Sequence, residues 1–369
     1  MKQVILLFLA LFLIIASSVS AVEGEINYYT VYDQDREVVF YSAEYEITTG
    51  DRYIDQQNRE YLVVEVDDQK REAVAEDQGT VQLVNLEEEK LAARFSAPSP
   101  YYTQDQGNRK VAIFHTHSEE SFVPTSGTHD KPGEGDIFEV GEEFKETLEK
   151  MGISVLHSLN THDPRDAASY DRSKPTARKL LEKNPDALFD IHRDGVPNRE
   201  EYTTSIEGSD TAMVTFVVGR QNPNMAVNEE FAKELKAAAD KMYPGLIKGI
   251  LFANGKYNQE LSPNSLLFEI GTHLNSLEEA QLGATYLAEV VADFLYGRGE
   301  AAGPGASRSL GQQRSALVTI FWILFVALGG GALFLYLNEG SWSKVLGRLK
   351  TFFKTEYADL LDRDDSDHE

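Results

Sequence analysis

Three segments of the chain decide its fold: VAIFHTHSEES at residues 111–121, ALFDIHRDG at residues 187–195 and SLLFEIGTHLN at residues 265–275. In each segment, an apolar run typical of a buried strand leads directly into histidine or carboxylate residues. Functional groups of open α/β sheets gather at the carboxyl ends of strands. If these three strands lie side by side, their terminal side chains surround one point. The pattern predicts a zinc hydrolase site.

The candidate metal ligands are His117, Glu120 and His192. Because the chain has no cysteine, a metal must be held by histidine and carboxylate side chains. His117 is preferred to His115 because His117 and Glu120 are three residues apart, so one turn can aim both at a common ion. His115 would then support the ligands or bind substrate. A catalytic zinc ion takes three protein ligands and keeps a fourth position for water.

Glu269 is the candidate proton carrier. It follows three apolar residues (266–268) in a strand otherwise suited to the core, where a carboxylate without a role would be costly. Beside zinc, it can take a proton from water and deliver it to the leaving amine. Arg193 and Asp194 follow His192 directly, and each can orient a ligand or bind a substrate carboxylate.

The order of predicted elements gives the fold class. Residues 109–297 alternate between strand and helix patterns, which predicts an α/β domain with a mostly parallel, twisted sheet and helices on both faces. The last helix is expected to begin after Asn275 or Ser276 and to run to about Tyr296. Residues 22–105 are rich in β-branched and aromatic residues and predict a small β-rich domain that spaces or docks the catalytic domain.

The two ends of the chain predict attachment to a membrane. Residues 1–21 have a basic start, a short apolar run and a small-residue cleavage site, which predicts a signal peptide; an uncleaved anchor is the alternative. Residues 315–337 form a stretch of 23 uncharged residues, long enough for a transmembrane helix. A flexible linker (298–314) precedes it and a cytoplasmic tail (338–369) follows it. The expected protein crosses the cell membrane once, with its catalytic domain outside the cytoplasm.

Composition narrows the classes of partner. The net charge of −25, from 35 basic and 60 acidic residues, argues against sequence-independent binding of nucleic acid, which needs a basic surface.

Several blocks between about residues 110 and 294 resemble the stage II sporulation protein P family. They are HTHSEESF, DIHRDG, FVVG, YNQEL and FEIGTHLNSLEEA, and they occur in that order. That family is similar to zinc N-acetylmuramoyl-L-alanine amidases, whose site combines two strand-end histidines, a ligand glutamate and a late catalytic glutamate. The resemblance places these roles on His117, Glu120, His192 and Glu269. Three later carboxylates remain candidates for the ligand position: Glu134, Asp136 and Glu139.

The resemblance implies an amidase fold, a Zn²⁺ cofactor and peptidoglycan as substrate. The reaction would cleave the bond between N-acetylmuramic acid and L-alanine in stem peptides, with endopeptidase action on cross-links as a further option. The family also implies work beside a lytic transglycosylase and other engulfment proteins, when the septal wall is thinned during sporulation.

Two other interpretations remain. A zinc carboxypeptidase that trims stem peptides would need an arginine to clamp the terminal carboxylate, and Arg193 or Arg220 would have to serve. A non-catalytic, wall-binding scaffold with a decayed site is the third class.

Overall fold

The computed structural model describes residues 26–43, 45–83, 109–297 and residue 341. The predicted signal peptide (1–21), linker (298–314), transmembrane helix (315–337) and tail (338–369) lie outside the described residues, apart from residue 341. Within the described ranges, no helix combines the length and apolar character that crossing a membrane requires. The four terminal segments therefore stay predictions.

The described residues form strands and helices with the following bounds. The strands are β1 Tyr29–Tyr32, β2 Val38–Ser42, β3 Arg52–Ile54, β4 Arg59–Asp67, β5 Glu72–Thr80, β6 Lys110–Phe114, β7 Ser154–His157, β8 Ala187–Asp194, β9 Thr203–Ile206, β10 Ser209–Ala212, β11 Val214–Gly219, β12 Ile247–Ala253 and β13 Ser265–Thr272. The α-helices are α1 Val123–Ser126, α2 Ile137–Lys150, α3 Ser169–Leu181, α4 Met225–Met242 and α5 Leu277–Tyr296. Two short 3-10 helices span Arg199–Tyr202 and Gln259–Leu261.

One large sheet organises the molecule. Its eleven strands follow the order β2-β1-β5-β4-β3-β12-β11-β13-β8-β6-β7. As predicted, β6, β8 and β13 are neighbours and run parallel. The prediction of a mostly parallel sheet holds only in part, because β11 is antiparallel to β13 and the N-terminal strands are largely antiparallel. Between β12 and β13 the chain has only one 3-10 turn and no crossover helix, so β13 runs in the opposite direction.

The two faces of the sheet are covered differently. On one face, α2, α4 and α5 pack on a core that includes Phe144, Phe231 and Leu287. On the other face, α3 covers β6 and β8 through Ala177, and the N-terminal strands cover β11, β12 and β13. The second face carries the site described below, so the N-terminal strands form part of its surroundings.

The N-terminal strands join the α/β part through β3 and β12, which pair antiparallel with Ile54 opposite Ile250. The close approach depends on Gly249, because a Cβ there would lie 2.5 Å from the carbonyl oxygen of Ile54. The two regions belong to one compact unit. The predicted β-rich region is thus continuous with the sheet that carries the site.

The N-cap residues of α5 and α2 make different hydrogen bonds. Ser276, one of the two residues predicted to precede α5, is its N-cap, and its side chain and that of Glu279 form a reciprocal capping box. Asp136 stands at the N-cap of α2 but makes no capping bond, because its carboxylate accepts from the backbone N–H of Phe122 and from Ser126. Of these two helices, only α5 is therefore capped by the side chain of its N-cap residue.

Candidate metal centre

Three buried donor side chains meet where β6 and β8 end. Their ligand atoms, one from each of His117, Glu120 and His192, all lie within 4.8 Å of one another. Oε1 of Glu120 lies 3.2 Å from Nδ1 of His117 and 3.4 Å from Nδ1 of His192. Two ligands of a tetrahedral zinc ion with bonds near 2.0 to 2.1 Å are separated by roughly 3.3 Å. The three side chains therefore already stand at ligand spacing.

The local chain explains why Glu120 points at both histidines. After β6 ends at Phe114, residues 115–122 turn across the sheet edge, and Glu120 forms an isolated bridge with Asp130. The backbone N–H of Arg193 donates to Oε2 of Glu120 at 2.8 Å, which leaves Oε1 facing the histidines. Burial opposes ionisation of Glu120, but the adjacent His192 and His117 hold the pKa of Glu120 well below its usual value. Glu120 is thus an ionised, oriented carboxylate.

Asp190 supports His192 from behind. It lies two residues earlier on β8, and its Oδ1 is 2.9 Å from Nε2 of His192, although the angles are not those of a hydrogen bond. Both oxygens of Asp190 are held by Thr116, through its backbone N–H and its hydroxyl. Burial alone would lower the pKa of His192, but the charges of Asp190 and Glu120 raise it well above its usual value. A carboxylate behind a histidine is the usual support of a metal-binding imidazole.

Glu269 stands beside His192 on the neighbouring strand. The two are register partners in the parallel pair of β13 and β8, and an irregularity follows Glu269 where Gly271 has a φ of 75°. Oε1 of Glu269 accepts a hydrogen bond from the hydroxyl of Tyr45 at 2.6 Å, whereas Oε2 has no hydrogen-bond partner. Burial raises the pKa of Glu269 to about 8. The carboxyl group therefore has one oxygen held by a hydrogen bond and one oxygen without a hydrogen-bond partner.

The other predicted site residues lie outside this cluster. His115 turns toward α2, where its Nε2 meets Nε2 of His157 at 2.9 Å, so the structure groups His117 and not His115 with Glu120. The Arg193 guanidinium is buried and donates to the carbonyl oxygen of His129 and to Asp130. Asp194 accepts from the hydroxyl of Tyr202 at 2.8 Å. Arg193 and Asp194 therefore brace the loops around the donors.

The three alternative carboxylate ligands are either exposed or hydrogen-bonded to other residues. Glu134 and Glu139 are exposed. Asp136 is buried, but its oxygens accept from Ser126 and from the backbone N–H of Phe122, and Lys131 pairs with it. Among the described residues, Glu120 is the carboxylate that joins the two histidines.

The donor set fits a zinc ion. Two histidines and one carboxylate are ligands that zinc accepts in catalytic sites, and no thiolate is needed. The chemistry and spacing of the cluster therefore fit a site with three protein ligands.

Comparisons with known proteins place the chain in a family. The model of the stage II sporulation protein P family matches residues 19–292. This chain belongs to that family. Stage II sporulation protein P of Bacillus subtilis (strain 168) is 32% identical over 243 residues, and the match covers 60% of this chain and 60% of that protein. The resemblance seen in the sequence is thereby confirmed.

Solved amidase structures share a distant likeness with part of the chain. An N-acetylmuramyl-L-alanine amidase from Mycobacterium smegmatis is 16% identical, with a TM-score of 0.37, and the match covers 52% of this chain and all (100%) of that one. An N-acetylmuramoyl-L-alanine amidase from Clostridium difficile 630 is 17% identical, with a TM-score of 0.34, and the match covers 53% of this chain and 100% of that one.

Three residues of this family member were missed by sequence reasoning. Asp190 had a usable signal, because a carboxylate two residues before a strand-end histidine lies on the same face of the strand. Arg165, which lies 3.6 Å from Oε1 of Glu120, comes from a loop without any recognisable pattern. Tyr45 comes from the N-terminal region and meets Glu269 across 224 residues of sequence.

Proposed function

We propose that this protein is a zinc-dependent N-acetylmuramoyl-L-alanine amidase that hydrolyses peptidoglycan during sporulation. One observation carries the proposal: His117, Glu120 and His192 converge at ligand spacing, and Glu269 stands beside them on the next strand. Membership in the stage II sporulation protein P family supports the sporulation setting. The match to the curated relative covers only 60% of each protein, so activity and substrate are proposed here on the basis of the site.

The chain's own residues divide the work of amide hydrolysis. His117, Glu120 and His192 would hold the zinc ion, with Asp190 fixing the imidazole of His192. When bound, zinc supplies Lewis acidity toward the scissile carbonyl and lowers the pKa of a coordinated water. Glu269 takes the proton from the attacking water at Oε2 and passes it to the leaving amine.

The raised pKa of Glu269 suits this role. A general acid–base group works best when its pKa lies near the working pH, and burial raises the pKa of Glu269 to about 8. A cation held near Glu269 would favour its ionised form and lower the pKa of Glu269 toward about 7. Glu269 can then accept the proton from water and release it to the amine within one catalytic cycle.

The place of action follows from the termini. The predicted signal peptide and transmembrane helix would tether the catalytic domain outside the cell membrane, where it can reach peptidoglycan. A lytic transglycosylase and other engulfment proteins are the proposed partners, because the family resemblance implies joint action at the septal wall.

The two arginines that a carboxypeptidase would need to bind a terminal carboxylate are engaged in other contacts. The Arg193 guanidinium is fully buried and bound to the carbonyl oxygen of His129 and to Asp130. Arg220 pairs with the buried carboxylate of Asp51, and its NH2 lies 2.6 Å from Oδ1 of Asp51. Neither arginine is available to hold a terminal carboxylate. The scaffold alternative is opposed by the complete set of three donors together with Glu269.

A digestion experiment tests the proposal. Protein comprising residues 22–297 is loaded with zinc and incubated with purified peptidoglycan, and the released products are identified by mass spectrometry. Free stem peptides with an L-alanine amino terminus are expected. Release of single terminal residues would point to the carboxypeptidase, and zinc-loaded protein that releases nothing would refute both enzymatic interpretations.

A further inference from the structure

Glu269 is tethered by a residue that lies far away in sequence. The hydroxyl of Tyr45 donates to Oε1 of Glu269 at 2.6 Å, and both side chains are buried. Tyr45 belongs to the N-terminal region, whose described residues (26–43 and 45–83) form strands β1 to β5 and include none of the candidate ligands. In the described part of the chain, no other side chain donates to Glu269 with hydrogen-bond geometry, and Oε2 stays without a partner.

The Tyr45 ring is held firmly in place. It belongs to the apolar cluster that contains Leu267 of β13, and its carbonyl oxygen accepts from the hydroxyl of Ser42 at 3.0 Å. Its ring packs edge-on against Tyr257, with 5.2 Å between the ring centroids. The Tyr257 ring meets Tyr170 in the same way, at 5.2 Å, and Tyr170 stacks against His192 at 6.5 Å. An aromatic row therefore connects the Tyr45 ring to the metal centre.

The direction of the hydrogen bond is fixed by chemistry. A phenol can donate to a carboxylate, and burial, followed by the charge of Glu269, holds the pKa of Tyr45 well above its usual range. Tyr45 thus remains a protonated donor. The 2.6 Å distance between the two oxygens lies at the short end of the usual range for O–H···O hydrogen bonds.

We propose that Tyr45 is a positioning residue for the catalytic carboxylate: it binds Oε1 of Glu269 and so presents Oε2 to the water that attacks the amide. The inference rests on the proposed function. Without the tether, the carboxyl group can rotate about its terminal torsion, which has a broad and roughly two-fold preference. The N-terminal region would then contribute to turnover, because a misplaced proton acceptor slows the chemical step without changing how substrate binds.

The test compares two variants that each lose one buried phenol hydroxyl. Tyr45→Phe removes the donor to Glu269 and keeps the ring. Tyr53→Phe is the matched control, because Tyr53 is also buried in the N-terminal strands and its hydroxyl donates to the carbonyl oxygen of Lys248 at 3.2 Å. In the full-length, zinc-loaded protein acting on peptidoglycan, we expect Tyr45→Phe to lower kcat by about 10- to 100-fold with little change in KM. We expect Tyr53→Phe to leave both constants near the wild-type values.

A second readout does not depend on catalysis. In metal-free protein, Tyr45→Phe is expected to lower the urea midpoint of unfolding in the wild-type background and to have no such effect in a Glu269→Ala background. Tyr53→Phe should lower the midpoint equally in both backgrounds. Zinc stoichiometry should stay at the wild-type value in both tyrosine variants, since neither residue belongs to the donor set.

The outcomes separate the inference from the proposed function. Equal kcat for wild type and Tyr45→Phe would overturn the positioning role alone, as would an equal loss of kcat in Tyr53→Phe. Faster turnover in Tyr45→Phe would also overturn it, because Tyr45 would then be shown to obstruct the site. A wild-type protein that binds zinc and releases no stem peptides would overturn the proposed function and, with it, the role given to Tyr45.

Discussion

Two groups of the same composition, each with two histidines and one glutamate, lie on opposite sides of the end of β6. In the first, His117 and His192 both direct Nδ1 at one oxygen of Glu120, at 3.2 and 3.4 Å. In the second, His115 and His157 meet through their Nε2 atoms at 2.9 Å, and Glu142 bonds the far nitrogen of His157 at 3.1 Å. The first group converges on a point, whereas the second is a chain.

The two groups also differ in charge. Burial holds the pKa of His115 well below its usual value, and the pKa of His157 is lowered too, mainly by burial. The pKa of His192 goes in the opposite direction, because two carboxylates outweigh its burial. The second group is also tightly packed against α2, since a Cβ at Gly141 would lie only 2.6 Å from the His115 ring. The two groups therefore share their residue types but differ in whether the histidines converge on one carboxylate oxygen and in the direction in which the pKa of His192 is shifted.

The largest effect should come from removing one histidine of each group. His192→Ala is expected to lose zinc and all measurable turnover, because it deletes one of three ligands. His157→Ala should keep both and lose about 1–3 kcal/mol of unfolding free energy, since Nε2 of His115 is left without its partner. Zinc content by atomic absorption and urea unfolding check the pair. If His157→Ala folds but binds no zinc, the prediction that only the first group holds zinc is wrong.

The next largest effect distinguishes the ligands of the first group from Glu269, the proposed proton carrier beside them. Glu269→Gln is expected to retain zinc and to lower kcat by about 10²- to 10⁴-fold, because the amide cannot accept a proton. Zinc analysis and the rate of stem-peptide release are measured on the same sample. Loss of zinc in this variant would show that Glu269 is itself a ligand.

A smaller effect is expected from the carboxylates that lie behind the histidines. Asp190→Asn should weaken zinc affinity by about 10- to 100-fold, because Asp190 orients His192. Glu142→Gln is the counterpart in the second group and should leave zinc affinity unchanged, as Glu142 bonds to His157 and Lys145 and to neither histidine of the first group. Competition with a chelating dye measures both. Equal affinities in the two variants would contradict the support role of Asp190.

The smallest effect concerns pH. A histidine whose pKa is lowered by folding stabilises the protein above its unfolded pKa of about 6.5, and this contribution is lost as the pH falls below that value. His157 should therefore make the metal-free protein less stable as the pH drops from about 6.5 to 5. The difference in unfolding free energy between wild type and His157→Gln should therefore narrow over this interval. Urea unfolding at several pH values tests this, and a constant difference would speak against it.

Much of the fold could be predicted because local and long-range signals agree. The apolar runs of β6, β8 and β13 indicated buried strands, and their polar ends indicated that the three strands lie side by side, as they do. The direction of β11 and β12 could not be predicted. It depends on the connection between β12 and β13, and residues 254–264 carry no signal that distinguishes a return loop from a crossover.

The sequence predicted those site residues that follow apolar strands or stand at ligand spacing. His117, Glu120, His192 and Glu269 were all named from sequence, and the structure brings the first three together with the fourth beside them. Their roles stay predictions. Tyr45 was beyond sequence reasoning, because its region shows only β-strand patterning and its contact with Glu269 depends on how the N-terminal strands pack on the sheet.

The antiparallel pairing of β3 with β12 affects where the chain can be truncated. Cutting the protein near residue 105 would remove β3, which pairs with residues 250–252 of β12, and would leave this part of a largely apolar inner strand without its backbone partners. Such an edge is a template on which further chains can add. We expect a fragment that starts at residue 109 to self-associate, as light scattering would detect, unlike protein that starts at residue 22. On this expectation, residues 109–297 depend on the N-terminal strands to cover an edge of their sheet.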